Sequence, residues 1–294
     1  MANLKEIKKR INATGAMRQV TRTMEMVSTA KIRGAQNRIE HARPYAAALA
    51  KILGRVTKAA GNIAHPLLEV REDVQRVMIV AVASDRGQAG AFNSNVIHLT
   101  EARLNEHRAA GHTVELVSVG RKVAAYFRYR GIEPDLSVEG HSGSPTYEDA
   151  KALADRIIAE YSAAEIDQVV LIYNRFVNVA TQRPEITYLL PAKSEEMADD
   201  GADEAGAALD YLFEPSAESV LETLLPSYVE SLVFKALLES AASEHGARRT
   251  AMKAATDNAE TMINTLTRSY NRARQAAITT EIAEIVGGAA ALEG

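Results

Sequence analysis

The residues best placed to do chemistry are Ser84-Asp85-Arg86-Gly87-Gln88-Ala89-Gly90, which follow the apolar run Val77 to Ala83. A glycine-containing turn between a strand and a helix can present backbone N–H groups to an anion at the helix N-terminus. This turn lacks the three-glycine spacing of a dinucleotide fingerprint, and turns of this kind more often only reverse the chain. Glu281 and Glu284 stand three apart near the C-terminus, a spacing that pairs carboxylates on one helix face, but without a cleft such a face is ordinarily solvated. The seven histidines are scattered, and no pair has a convincing metal-ligand spacing. There is no G-x-x-x-x-G-K-[ST], no H-E-x-x-H and no G-x-S-x-G, and Cys is absent, which removes disulfides, thiolate metal sites and Cys nucleophiles. No catalytic residue, cofactor site or metal site is therefore assigned.

The elements that must carry these residues are of two kinds. From Leu4 to Val56 apolar residues recur at three- and four-residue steps (Leu4, Ile7, Ile11, Met17, Val20, Met24, Val27, Ile39, Leu49, Ile52, Val56), the stripe of a long amphipathic helix. Gly15, Gly34 and Gly54 weaken it, Pro44 is a candidate kink, and Gly61-Asn62 with His65-Pro66 ends it. A second stripe includes Val229, Leu232, Val233, Ala236, Met252, Met262, Ile263, Leu266, Tyr270 and Ala277. Its helix is expected to start near Pro226, a natural first-turn residue, and to run to Gly287-Gly288. About 60 residues at 1.5 Å each make a rod of roughly 90 Å, a length that belongs to a coiled coil. Val233 and Met262 are taken as buried seam positions.

Between the rods the pattern changes to strands alternating with helices. Val77 to Ala83, Thr113 to Val119 and Val169 to Tyr173 are expected as strands, and Asn93 to Ala110, Gly120 to Tyr129 and Tyr147 to Tyr161 continue the alternation. This predicts a mostly parallel, doubly wound, Rossmann-like sheet. Val177 to Leu190, with a break at Thr181-Gln182-Arg183-Pro184, is expected as an antiparallel edge hairpin. The fold class is thus an α/β insert flanked by long N- and C-terminal helices that form an antiparallel coiled coil. The segments are 1–60 for the first helix, 74–192 for the insert, 193–215 for an acidic surface linker and 216–294 for the second helix.

Charge is unevenly spread along a chain of 294 residues and net charge −4. Lys and Arg dominate from Met1 to Ala60, while Glu195 to Glu222 is acidic throughout and has neither. A basic helix suggests nucleic acid. The apolar stripe on the same helix, the scarcity of interleaved aromatics (5% of the chain) and the overall negative charge argue instead for a solvated face or an acidic protein partner. No apolar stretch approaches a membrane span or a signal h-region.

The segment Arg272-Ala273-Arg274-Gln275-Ala276-Ala277-Ile278-Thr279-Thr280-Glu281-Ile282-Ala283-Glu284-Ile285-Val286-Gly287-Gly288-Ala289 closely resembles the signature of ATP synthase gamma subunits. The other marks of that family follow in order: Ile7-Lys8-Lys9-Arg10-Ile11, Met24-Glu25-Met26-Val27, Ser84-Asp85-Arg86-Gly87 and Ala251-Met252-Lys253-Ala254-Ala255-Thr256-Asp257-Asn258-Ala259. The resemblance spans essentially the whole chain. It implies a non-catalytic rotor shaft inside a hexamer of alpha and beta subunits, whose insert forms a foot meeting an epsilon subunit and a ring of c subunits. Coupling to proton flow and a peripheral place on the cytoplasmic face of a bacterial membrane, reached only through the c ring, are implied with it. Residue by residue, contacts with the beta catch loop carry over to Arg274, Gln275, Thr279, Glu281 and Glu284, coupling positions to Met24 and Arg248, and foot contacts to Tyr211, Phe213 and Glu214. Departures from the family pattern fall at Gln88-Ala89, Ala283 and Arg249, and Gly246 is expected to loosen the second rod. Two other classes stay open on the residues alone: a coiled-coil scaffold or nucleic-acid protein with a globular insert, and an enzyme using the crevice at the strand ends.

Overall fold

A computed structural model describes residues 4–60, 65–192 and 216–293. The elements in order are α1 (Leu4–Ala60), a 3-10 turn (Pro66–Leu68), β1 (Arg76–Val82), α2 (Phe92–Ala109), β2 (Thr113–Val119), α3 (Arg121–Tyr129), β3 (Leu136–Val138), α4 (Tyr147–Ser162), β4 (Gln168–Phe176), β5 (Gln182–Leu190) and α5 (Ala217–Glu293). The acidic stretch 193–215 lies outside the described residues. Two compact units emerge: Met1–Val27 with Arg249–Gly294, and Ser28–Arg248.

In the larger unit the five strands run in the order β3-β2-β1-β4-β5, parallel except for β5. β1 is buried after its first residue, as expected for a central parallel strand covered on both faces. Alternate residues divide between two cores: Val77, Ile79 and Ala81 pack with α2 and α3, while Met78, Val80 and Val82 pack with α4, with Leu49, Leu53 and Val56 of α1, and with Leu221, Leu225, Val229 and Val233 of α5. The long helices therefore supply one face of the sheet's cover. Two positions needed close backbone approach. Gly120 (φ +99°) ends β2 where an added Cβ would stand 2.3 Å from the Ala83 carbonyl oxygen, a distance no side chain tolerates. Gly246 lies where a Cβ would meet the Gln182 amide at 2.9 Å, so this glycine lets α5 approach the β4–β5 turn, a packing reason in place of the expected loosening.

Several expectations are corrected. α5 starts at Ala217, not Pro226, and Pro226 sits inside it. An interior proline costs about 3 kcal/mol, and the full burial of Leu221 and Leu225 at about 1.5–3 kcal/mol each offsets this. The helix also continues past Gly287-Gly288 to Glu293. The edge hairpin uses β4 itself as its first arm, and the chain turns at Asn178–Thr181 with Pro184 inside β5, whose outer edge needs no donor there.

In the smaller unit α1 and α5 pair antiparallel. As α1 advances through Thr14, Arg18 and Thr21, its partners on α5 recede through Met262, Glu260 and Thr256, at 3.8, 4.0 and 2.7 Å. The seam is not the stripe of large residues. Ile7 and Thr21 are buried, whereas Met17, Val20 and Val27 are exposed. Val233, in the larger unit, is fully buried, but Met262 is 56% exposed and is not a seam core position. Along this stretch of α1, Ile7 and Thr21 are buried and Ile11 and Thr14 half-buried, and the short hydroxylated side chains of Thr14 and Thr21 let the helices approach.

Candidate functional site: a helix overhang and a sealed crevice

The pairing register fixes where α1 stops covering α5. Since Thr14 faces Met262 and Thr21 faces Thr256, Leu4 stands near residue 273, and from Arg274 onward no described residue of α1 lies opposite. All five predicted catch-loop residues, Arg274, Gln275, Thr279, Glu281 and Glu284, fall on this overhang and are exposed. The Thr279 hydroxyl donates to the Gln275 carbonyl (2.9 Å), which leaves its lone pairs outward. Ile278, Ile282, Ile285 and Val286 are likewise exposed, at i, i+4, i+7 and i+8. One turn-spaced helix thus offers a cation, an amide, two carboxylates and an exposed apolar stripe, the chemistry of a contact surface.

Of the other predicted residues, Met24 and Arg248 are among those described. Met24 is half-buried in the smaller unit. Arg248 is buried in the larger unit, paired with Glu244 at 2.6 Å and donating to the Gly87 carbonyl at 3.3 Å. Tyr211, Phe213 and Glu214 lie outside the described residues.

The turn Ser84–Gly90 sits at the strand ends where a doubly wound sheet would take a ligand. Ser84, Asp85 and the carbonyls of Arg86 and Gly87 are engaged within the chain, while Arg86, Gln88 and Gly90 are exposed. The Asp85 carboxylate accepts from the backbone N–H of Arg121, the first residue of α3, at 3.0 Å, and from that of Ser142 at 3.2 Å. Burial alone would raise the Asp85 carboxyl, but hydrogen bonds from Gly140, Arg121 and Ser142 hold it below the usual carboxylate range. The Asp85 side chain thus occupies the first N–H of α3, while α2, the helix that the turn leads into, has no side-chain cap at Ala91. The Ser84 N–H and hydroxyl both donate to the Asn93 side-chain oxygen, at 3.0 and 2.8 Å, and Asn174 donates to the Phe92 carbonyl at 2.9 Å. α5 closes the crevice: Ser243 donates to the Asn174 carbonyl at 2.9 Å, and the His245 Nε2 meets the Gly143 carbonyl at 3.0 Å. Burial lowers the His245 pKa, so this imidazole is neutral at physiological pH. Ser243 was legible only as a small residue in a helix, and nothing in its neighbours signals the contact.

A groove of about 760 Å³ in the same unit is lined by Tyr45, Tyr147, Tyr188, Tyr228 and Phe234 together with small α1 side chains. Tyr147 donates to Glu230, which also takes Lys151 at 2.7 Å, and burial first, then Glu230, pushes the Tyr147 phenol up to about 12. A phenol so held is neutral and structural. Among the described residues no group of three or more His, Asp or Glu could hold a metal ion, and no helix is long and apolar enough to cross a membrane.

A family model described as ATP synthase matches residues 3–292. The ATP synthase gamma chain of Desulfitobacterium hafniense is 45% identical over 293 residues, covering 100% of both chains. The chain belongs to the ATP synthase gamma chain family. Gamma chains of Symbiobacterium thermophilum and Pelotomaculum thermopropionicum are each 46% identical, over 99% and 100% of the chain. Solved structures share the fold: a chain of the Euglena gracilis mitochondrial ATP synthase (TM-score 0.68, 19% identity, 98% of this chain and 94% of that one) and a chain of the Tetrahymena thermophila central stalk and c ring (0.59, 24%, 80% and 99%).

Proposed function

We propose that the chain is the central-stalk gamma subunit of an F-type ATP synthase, turning inside a hexamer of alpha and beta subunits and coupling proton translocation to ATP synthesis and hydrolysis. Catalysis resides on beta, and the chain itself is not an enzyme. It meets epsilon and the c ring through its α/β foot, with Tyr211, Phe213 and Glu214 as contact residues, and through the ring it is held peripherally on the cytoplasmic face of the membrane. The observation that carries this reading is the overhang of α5, where Arg274, Gln275, Thr279, Glu281 and Glu284 stand exposed beyond the end of α1. A rotating shaft changes the nucleotide sites only if its contacts differ between rotary states. A charge-assisted hydrogen bond from Arg274 to an acidic loop is worth roughly 1.5–3 kcal/mol, enough to shift such states several-fold. Met24 and Arg248 act on coupling by holding their helices, not by touching beta.

The test is reconstitution with the alpha and beta subunits of one synthase. The chain is expected to copurify with them and to show no ATP turnover alone. The variant Arg274→Ala/Gln275→Ala/Thr279→Ala is expected to assemble, to hydrolyse ATP more slowly and to pump fewer protons per ATP. Turnover by the pure chain, or failure to copurify, overturns the assignment. Wild-type turnover and pumping by the triple variant would reduce these residues to a solvated helix face.

A further inference from the structure

α2 ends in a turn that forces two imidazoles together. The His112 N–H donates to the His107 carbonyl at 3.0 Å and the Gly111 N–H to the Arg108 carbonyl at 3.1 Å, with Gly111 at φ +88°. These are the paired bonds of a Schellman cap, which brings the side chains at its first and last positions into contact. That contact is usually apolar. Here it is made by His107 and His112, whose Nδ1 atoms face each other at 3.2 Å with ring centroids 5.4 Å apart.

We propose that His107 and His112 form an open two-imidazole site for a first-row divalent transition-metal ion such as Zn²⁺, Ni²⁺ or Cu²⁺. Two nitrogens bound to one tetrahedral Zn²⁺ at about 2.0–2.1 Å each stand about 3.3 Å apart, which the observed 3.2 Å matches, and the square-planar or tetragonal sites of Ni²⁺ and Cu²⁺ require the rings to close to about 2.9 Å. In the metal-free chain one Nδ1–H donates to the other Nδ1. Binding needs only that this proton move to Nε2 of the same ring, so both Nδ1 lone pairs point at the ion and no net proton is lost. Imidazole nitrogen suits these ions, and not Mg²⁺ or Ca²⁺. The site lies at the C-terminal end of an 18-residue helix, where the backbone dipole favours a cation. The nearby Arg103 is paired with Glu106 at 2.7 Å, which offsets its charge. Both rings are half-buried, so water completes the coordination. The five-residue spacing is neither of the helix ligand spacings, which is why the pair is invisible until the cap is seen.

The experiment titrates the full-length, tag-free chain with NiCl₂ and ZnCl₂, with MgCl₂ as control, while imidazole proton NMR signals and thermal unfolding are followed. The comparison variant is His107→Leu/His112→Leu, which keeps the apolar contact usual for this cap, alongside each single Leu variant. The expected result is one ion per chain, with Ni²⁺ broadening the His107 and His112 signals before those of other histidines. Zn²⁺ is expected to raise the melting temperature of the parent only, and each variant should lose roughly tenfold or more in affinity. The proposal is overturned if the parent binds neither ion below about 1 mM, if the variants bind as the parent does, or if other histidines respond first.

Discussion

Arg248 and Glu244 illustrate how a single ion pair is to be weighed. Both side chains are less than a tenth exposed and meet at 2.6 Å, and the Arg248 guanidinium also ties the Gly87 carbonyl. Removing one partner of such a pair strands a buried charge and costs about 3–5 kcal/mol. Arg248→Ala is therefore expected to lower stability by about 3 kcal/mol, with Arg248→Ala/Glu244→Ala closer to wild type than the sum of the single changes, as measured by denaturant unfolding. A coupling defect in Arg248→Ala without that stability loss would show that the residue acts by direct contact instead. Asp85 is the second residue whose charge matters. Its carboxyl is depressed in the folded chain, so its ionised form contributes stability above the unfolded carboxylate pKa of about 4 and loses it as pH falls through the lower folded value. Asp85→Asn is expected to destabilise by about 1–2 kcal/mol at pH 6, and the gap from wild type should narrow as pH falls below the ordinary carboxylate range in parallel pH-dependent unfolding.

At the scale of elements the long helices and the strands were legible for different reasons. Val77–Ala83 and Val169–Tyr173 are unbroken apolar runs because parallel strands covered on both faces have no polar side to show. β3 was not legible: Leu136–Val138 is three residues long and only half-buried. The helices announced themselves by period, but the period did not reveal which face meets which neighbour. Met17, Val20 and Val27 share the spacing of seam residues yet are exposed, while beside Ile7 the seam is built of Thr14 and Thr21, hydroxylated side chains that large-residue counting overlooks. The exposed end of α5 was legible as a segment, but the overhang that exposes it needed the pairing register. Substitution separates the two faces. Val233→Glu is expected to cost several kcal/mol and Met262→Glu less than about 1 kcal/mol in thermal or denaturant unfolding. Equal losses would return Met262 to the seam.

The whole molecule divides into a unit with a two-faced sheet core and a unit held by a narrow helix seam. Stability is graded accordingly, since amide protection follows burial and tertiary contact. Hydrogen exchange is expected to be slowest in β1 and β4, intermediate in the paired helices of the smaller unit, and fastest among the described helical residues from 274 to 289, which have no α1 residue opposite. Equal protection of that stretch and of β1 would contradict the register derived from Thr14 and Thr21.

The closing of the sheet crevice by Ser243, His245 and Arg248 sets an order on synthesis. A ribosome releases the sheet strands long before it releases residues 221–248, and until then the face carrying Met78, Val80 and Val82 lacks its α5 cover and the turn after β1 lacks its Arg248 bond. The nascent insert is thus a half-dressed sheet, dependent on the last third of its own message for completion, and its exposed apolar face is the point at which a chaperone would hold it.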